Sequence, residues 1–373
     1  MKEKRTKHPY FIYETIMNTP EILSSWFEDA NTKRIDSIAE QMVRFKPNNL
    51  FLSGTGSSYM ASLAQSFVFN EIVKIPATAY VRSELMTYMP INFDKRSILF
   101  LNTHSGKSPG DEELIKIAKD RGLYTIGVSD NPDSPFAKTA DSLLIGNDGI
   151  KKEMPATRTY SSAMFRVILL AISCARKLGF SKVADEYEEK ARDIPVLMKK
   201  FLNEFESPIK QIARDLHEQS SFFIISSGPN MSTAYEGAMG LTQGTGLPTA
   251  GYNVDEYLHG PVQALSKEKC IISVAPQSPM QKRMGNFSKV ARNIGAKTVM
   301  IAPSDSDVLH DAEINIPMPA GIPEIFTPVL YCAPFWLLGY YFSILNEFDP
   351  DTLSMEKENF KNSGLQELKK AIY

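Results

Sequence analysis

From residue 9 the apolar positions follow helical spacing. Ile35, Ile38, Met42 and Phe45 fall on one face of Lys33–Phe45, and Glu21 to Phe27 follows a helix start at Pro20, so residues 9–45 read as helical. The pattern then changes to short apolar runs bounded by glycine and polar turns, at 50–53, 78–82, 97–102, 124–128 and 142–145. Helical stretches 58–73 and 110–121 lie between them. Strands alternating with helices predict βαβ units and a parallel sheet covered on both faces. Residues 157–178 then predict a long apolar helix, and 184–217 a charged helical linker. The longest apolar stretch, Val329 to Leu345, contains Pro334, Gly339 and the tyrosines Tyr331, Tyr340 and Tyr341, which favour a buried helix over a membrane span.

The second half of the chain resembles the first at one constant shift. Ile224-Ile225-Ser226-Ser227-Gly228 lies against Phe51-Leu52-Ser53-Gly54-Thr55, with 224 − 51 = 173. Gly295 to Ile301 lies against Gly122 to Val128, with 295 − 122 = 173, and Cys270–Val274 lies near Ile98–Asn102. One shift that aligns several strands and a helix end predicts an internal duplication of an α/β unit.

Bulk composition narrows the class. The 373 residues are 43% hydrophobic and 23% charged with a formal net charge of −2, which fits an ordinary globular protein of about two domains. Such a balance gives no basic footprint for nucleic acid and no attraction to an anionic membrane. Cys174, Cys270 and Cys332 are far apart in apolar surroundings, and the five histidines are scattered. Buried free thiols and no metal site are the expectation, with a cytoplasmic location, since no apolar segment follows the charged start Met1 to Arg5.

Two turns carry candidate chemistry. In Asn49 to Ala64 an apolar run breaks at Gly54 and Gly56, hydroxyls follow at Thr55, Ser57 and Ser58, and a helix-compatible run begins at Met60. A strand, a glycine turn and a helix start aim backbone N–H groups and the positive end of a helix dipole at one spot, which suits phosphate. The same pattern also serves as an ordinary strand-to-helix connection. The second turn, Thr103-His104-Ser105-Gly106-Lys107-Ser108, adds three hydroxyls and an imidazole after the third strand. Its counterpart in the second half, Pro276-Gln277-Ser278-Pro279-Met280, has lost most hydroxyls, and Asn230 and Met231 stand opposite Ser57 and Ser58. Ligands of an open parallel sheet sit beyond the carboxyl ends of its strands, so one anion site, in the first half, is expected.

These residues, with Arg82-Ser83-Glu84, Glu153-x-x-x-Thr157-Arg158-x-Tyr160 and Glu256-Tyr257-Leu258-His259-Gly260-Pro261, resemble the sugar isomerase (SIS) family over essentially the whole chain. The resemblance is to double-SIS proteins: the isomerase half of glucosamine-6-phosphate synthase and the fructosamine-6-phosphate deglycases. It implies an α/β fold of two tandem SIS domains, each a flavodoxin-like or Rossmann-like parallel sheet flanked by helices. The expected organisation is an N-terminal helical segment over 1–45, a first SIS domain with the phosphate site over 46–183, a helical linker over 184–217, a second SIS domain over 218–348 and a tail over 349–373.

The resemblance further implies that Ser57, Ser58, Thr103, His104, Ser105 and Ser108 hold the phosphate of a sugar 6-phosphate. For His104 a structural role stands level with phosphate binding. Lys107 replaces a glutamate of the family pattern, which favours a phosphorylated ligand. His259 is implied to open the sugar ring from the partner subunit of a homodimer, a task suited to an imidazole; its other reading is a His-Gly-Pro cap. No cofactor is implied.

At one position the pattern breaks. Family isomerases carry a glutamate sixteen residues before this histidine, and 259 − 16 = 243 is Gln243; a lysine three residues earlier is replaced by Gly240. An amide takes up no proton at neutral pH. Glu256 is the candidate surrogate base, although that position is a common structural glutamate of the family; Asp255 and Glu236 are the other nearby carboxylates. With Cys174 as the first cysteine, no glutaminase domain with a terminal cysteine nucleophile is expected. Two functions remain. One is ring opening with aldose–ketose isomerisation, deamination or deglycation of an amino-sugar or fructosamine 6-phosphate. The alternative is a non-catalytic sugar-phosphate sensor.

Overall fold

The computed structural model describes residues 4–146, 155–352 and 358–370. They form two compact units, one drawn from residues 4–18, 155–157 and 194–352, the other from residues 19–146, 158–193 and 358–370.

The unit holding the first half of the chain is built on β1 (Asn49–Gly54), β2 (Ala77–Val81), β3 (Ser97–Asn102), β4 (Tyr124–Ser129) and β5 (Ser142–Ile145). All pair in parallel, in the order β2-β1-β3-β4-β5. β3 is buried at every position, as its unbroken apolar run requires of a central strand covered on both faces. The helix Pro109–Asp120 covers one face through Leu114, Ile115 and Ala118, which pack with Phe51, Leu99 and Leu101 of the strands. The helix Arg158–Lys177 is buried at nearly every residue and packs against the helices Asp29–Phe45 and Ser57–Val68.

The other unit holds β6 (Ser221–Ser226), β7 (Thr249–Asn253), β8 (Lys269–Val274), β9 (Lys297–Pro303) and β10 (Ile314–Met318), parallel throughout, in the order β7-β6-β8-β9-β10. The strand order is that of the first sheet. Each strand starts 172 or 173 residues after its counterpart, from 221 − 49 = 172 for β6 to 297 − 124 = 173 for β9.

The differences from the sequence expectation are local and have local causes. The N-terminal helical stretch divides into Phe11–Met17, Thr19–Ser25 and Asp29–Phe45. The apolar stretch ending at Leu345 is two helices, Thr327–Tyr331 and Ala333–Leu345, broken just before Pro334, whose ring cannot continue a helix but suits its first turn. By length and composition Glu324–Leu345 is apolar enough to cross a membrane, yet 89% of the tested window is buried. The charged linker is one helix, Ser181–Asp215, and the division between the two units falls after Asp193, two residues before its internal Pro195.

Candidate functional site

In the first sheet the strand order reverses between β1 and β3, which places the turns after these two strands side by side at the carboxyl edge. Both hydroxyl-rich turns lie there. A Cβ on Gly54 would come within 2.6 Å of the Ser58 carbonyl carbon, so the chain can fold back this tightly only on glycine. Gly56 follows at φ 59°, and the helix Ser57–Val68 starts with Ser57 and Ser58 half-buried in its first turn.

A buried polar network fixes this helix against β3. Asn102, the last residue of β3, donates to Ser62 Oγ and to Gln65 Oε1, both at 2.8 Å, and Gln65 Nε2 reaches the Ala163 carbonyl at 3.0 Å. The three side chains are buried, where a satisfied network is rigid.

The second turn is held by ion pairs. Thr103 Oγ1 donates to Asp111 Oδ2 at 2.8 Å and accepts from the Gly106 N–H at 3.2 Å. Arg82 Nη1 donates to Asp111 Oδ1 and to Ser108 Oγ, each at 2.6 Å. The hydroxyl proton of Thr103 is therefore engaged in closing the turn, whereas Ser108 accepts and keeps its own proton to donate. Ser105 is exposed at the tip. Gly106 has φ 61°, and a Cβ there would meet Ser134 Oγ at 2.3 Å.

His104 is half-buried. Its Nδ1 lies 2.7 Å from Asp130 Oδ2, and Asp130 Oδ1 takes a 2.6 Å contact from Arg166 Nη1. Burial works against the Asp130 charge, but Arg166 and His104 outweigh it and hold the carboxyl down at about 2. Gly146 makes room for this pair, since a Cβ there would lie 1.9 Å from Asp130 and 2.0 Å from Arg166. Asp130, Arg166, Asp111 and the Asn102–Gln65 network are absent from the sequence reading. Their signal was faint: one arginine inside an apolar helix, and single polar residues ending apolar strands.

The remaining candidates lie in the other unit. His259 is the exposed C-cap of the short helix Val254–Leu258, and Glu256 is exposed on that helix. Asp255 is paired with Arg283 at 2.6 Å, and Glu236 is buried in the helix Met231–Thr245. Gln243, half-buried on the same helix, lines a cavity of about 30 Å³ with Thr157, Gly240, Trp336, Gly339 and Tyr340. Thr157 Oγ1 and Trp336 Nε1 are buried there without a partner among the described residues. Among the described residues no Asp, Glu, Lys, Arg or His lines this cavity. Glu153 of the sequence motif lies outside the described residues.

A larger crevice, about 500 Å³, opens at the carboxyl edge of the second sheet. Asp305, Asp307 and Asp311 line it, and Lys289 is paired to Asp311 at 2.8 Å, so it does not match an anion site. All three cysteines are buried and free, and burial pushes Cys174 up to about 12. Among the described residues no group of His, Cys, Asp and Glu could hold a metal ion.

Residues 45–173 match the family model for the SIS domain. The match covers about a third of the chain, and the two parallel five-stranded sheets have the form of two SIS-type α/β domains in tandem. It is 24% identical over 92% of its length to the isomerizing glutamine–fructose-6-phosphate aminotransferase of Pyrobaculum aerophilum, of which it covers 56%. The chain thus spans about half the length of the curated relatives it matches. The C-terminal domain of glucosamine-fructose-6-phosphate aminotransferase from Francisella tularensis superposes with a TM-score of 0.83 at 18% identity, over 94% of this chain and 100% of that one. Glucosamine-6-phosphate deaminase from Thermotoga maritima superposes at 0.70 and 19% identity, over 92% and 97% of the two chains. At these identities the structural likeness defines the fold.

Proposed function

We propose that this chain binds a phosphorylated sugar at the carboxyl edge of its first sheet. It then opens the ring and moves a proton between C1 and C2, in an isomerisation, deamination or deglycation. The observation that carries the proposal is the pairing of two hydroxyl-rich turns on adjacent strands, one leading into a helix N-terminus. Ser57, Ser58, Ser105 and Ser108 supply hydroxyls to the phosphate, His104 supplies its ring, and Thr103 closes the turn around them. The names of the relatives, an isomerizing aminotransferase and a deaminase among them, support phosphosugar chemistry of this class.

By the resemblance, ring opening falls to His259, acting across the interface of a homodimer. Its exposure in the single chain is what such a role requires. Glu256 is the surrogate base in this scheme, and its exposed position leaves it accessible.

Gln243 favours a second reading, a sugar-phosphate sensor without turnover, because an amide takes no proton from carbon. The deciding experiment is ligand-observed NMR of the protein with glucosamine 6-phosphate, fructose 6-phosphate and fructoselysine 6-phosphate, recording line broadening and conversion together. Conversion of any one supports the enzyme. Saturable broadening without conversion supports the sensor, and neither signal removes the phosphate site.

A further inference from the structure

Asp130 is 3% exposed and Arg166 1% exposed, so the carboxylate–guanidinium pair behind His104 is sealed from water. An ionised carboxylate has no hydrogen to give. The hydrogen in the 2.7 Å contact between Asp130 Oδ2 and His104 Nδ1 therefore sits on Nδ1. That leaves Nε2 as the atom that gains or loses a proton: bare in the neutral ring, a donor in the charged one.

The backbone fixes the same arrangement. The His104 carbonyl accepts from the Asp130 N–H at 3.2 Å and from Ser129 Oγ at 3.3 Å, which pins the turn to the end of β4. Asn131 Nδ2 adds a bond to the Ser105 carbonyl at 2.9 Å. The ring is 35% exposed and shares its turn with Ser105 and Ser108.

The charges around the ring nearly cancel. Asp130 is matched by Arg166 and Asp111 by Arg82, both at 2.6 Å. Lys107 on the turn and Asp133 on the neighbouring turn are both exposed to solvent. Among the described residues, a proton on His104 Nε2 is a charge this surface can gain beside a bound anion.

We propose that His104, positioned by Asp130 and Arg166, takes up a proton at Nε2 as it binds a dianionic phosphomonoester. Solvent supplies the proton, no bond of the ligand breaks, and the charged ring donates from Nε2 to a phosphate oxygen. This rests on the phosphate reading above and assigns that site its charge selectivity. A glutamine at this position would offer an amide N–H but no proton equilibrium. Asp130 and Arg166 act as positioning residues: they set which nitrogen faces the ligand. Linkage then requires phosphate affinity to fall as pH rises, by up to about tenfold for each step of one in pH.

The test is calorimetric titration with glucose 6-phosphate near pH 8, where the phosphomonoester is dianionic, in two buffers of different ionisation enthalpy. The wild-type protein is expected to take up protons on binding. His104→Gln is expected to bind with no proton uptake and a flat pH profile. Asp130→Asn is expected to bind with reduced uptake, an effect that loss of a merely structural contact does not give. ¹⁵N NMR of the imidazole in the free protein should show the Nδ1–H tautomer. Binding by wild type without proton uptake, uptake unchanged in His104→Gln, or the opposite tautomer each overturns the inference while leaving the phosphate site intact. Absence of binding by the wild-type protein overturns both.

Discussion

Arg82 and Asp111 meet at 2.6 Å with side chains 12% and 6% exposed, and this contact joins the residue that follows β2 to the helix that follows β3. Gly110 admits the guanidinium, since a Cβ there would lie 2.7 Å from Arg82 Cζ. Asp111 also accepts from Thr103, and Arg82 donates to Ser108, so the pair holds both ends of the His104 turn.

Arg82→Ala leaves the buried Asp111 carboxylate without its cation. The expected loss is about 3–5 kcal/mol of stability, read as a lower urea midpoint, because removing one partner of a buried pair exposes the desolvation penalty of the other. A loss within experimental error of zero would mean that solvent reaches Asp111.

Acid should act on Asp130. Its carboxyl is held at about 2 in the fold against an ordinary value of 3.8, so its contribution is present above about pH 4 and is lost as pH falls through about 2. The contribution is on the order of 2 kcal/mol, at roughly 1.4 kcal/mol for each tenfold change in the acid dissociation constant. Urea midpoints measured from pH 5 to pH 2 should fall more steeply for the wild type than for Asp130→Asn, and parallel slopes would contradict the assignment.

Ser105→Ala removes an exposed hydroxyl whose one hydrogen-bond contact among the described residues is a 3.4 Å backbone approach from Lys107. Fold stability should stay within about 0.5 kcal/mol. Affinity for a sugar phosphate should fall about tenfold or more, the scale of one hydrogen bond to a charged group. Calorimetry and thermal melting on one sample separate the two effects, and unchanged affinity places the phosphate elsewhere.

His259→Ala should abolish any turnover while phosphate affinity stays within about threefold, since His259 lies outside the hydroxyl turns and a proton-transfer group acts on rate rather than on phosphate binding. A coupled assay with the best substrate of the panel, together with its calorimetric Kd, checks both halves. Turnover that survives would move ring opening to another residue.

The two sheets were readable because a parallel strand covered on both faces is an apolar run. The runs at 97–102 and 142–145 coincide with β3 and β5. The short helices Arg82–Thr87 and Pro135–Thr139 were not anticipated: with six and five residues they have too few turns to show a period. The hydroxyl turns were readable because glycine and serine punctuate the chain locally. The Gln243 cavity was not, because it gathers residues as distant as Thr157, Gln243 and Trp336.

What the sequence by itself determined is the succession of strands and helices, the constant shift between the halves and the position of the hydroxyl turns. Each depends on residues within a few positions of one another. Only the tertiary structure decided that Asp130 stands behind His104, that Arg166 neutralises it, and that Arg82 reaches Asp111. Their sequence separations are 26, 36 and 29 residues. A buried charge is tolerable only beside its opposite, and which loops bring such partners together follows from strand order, which the local pattern does not encode.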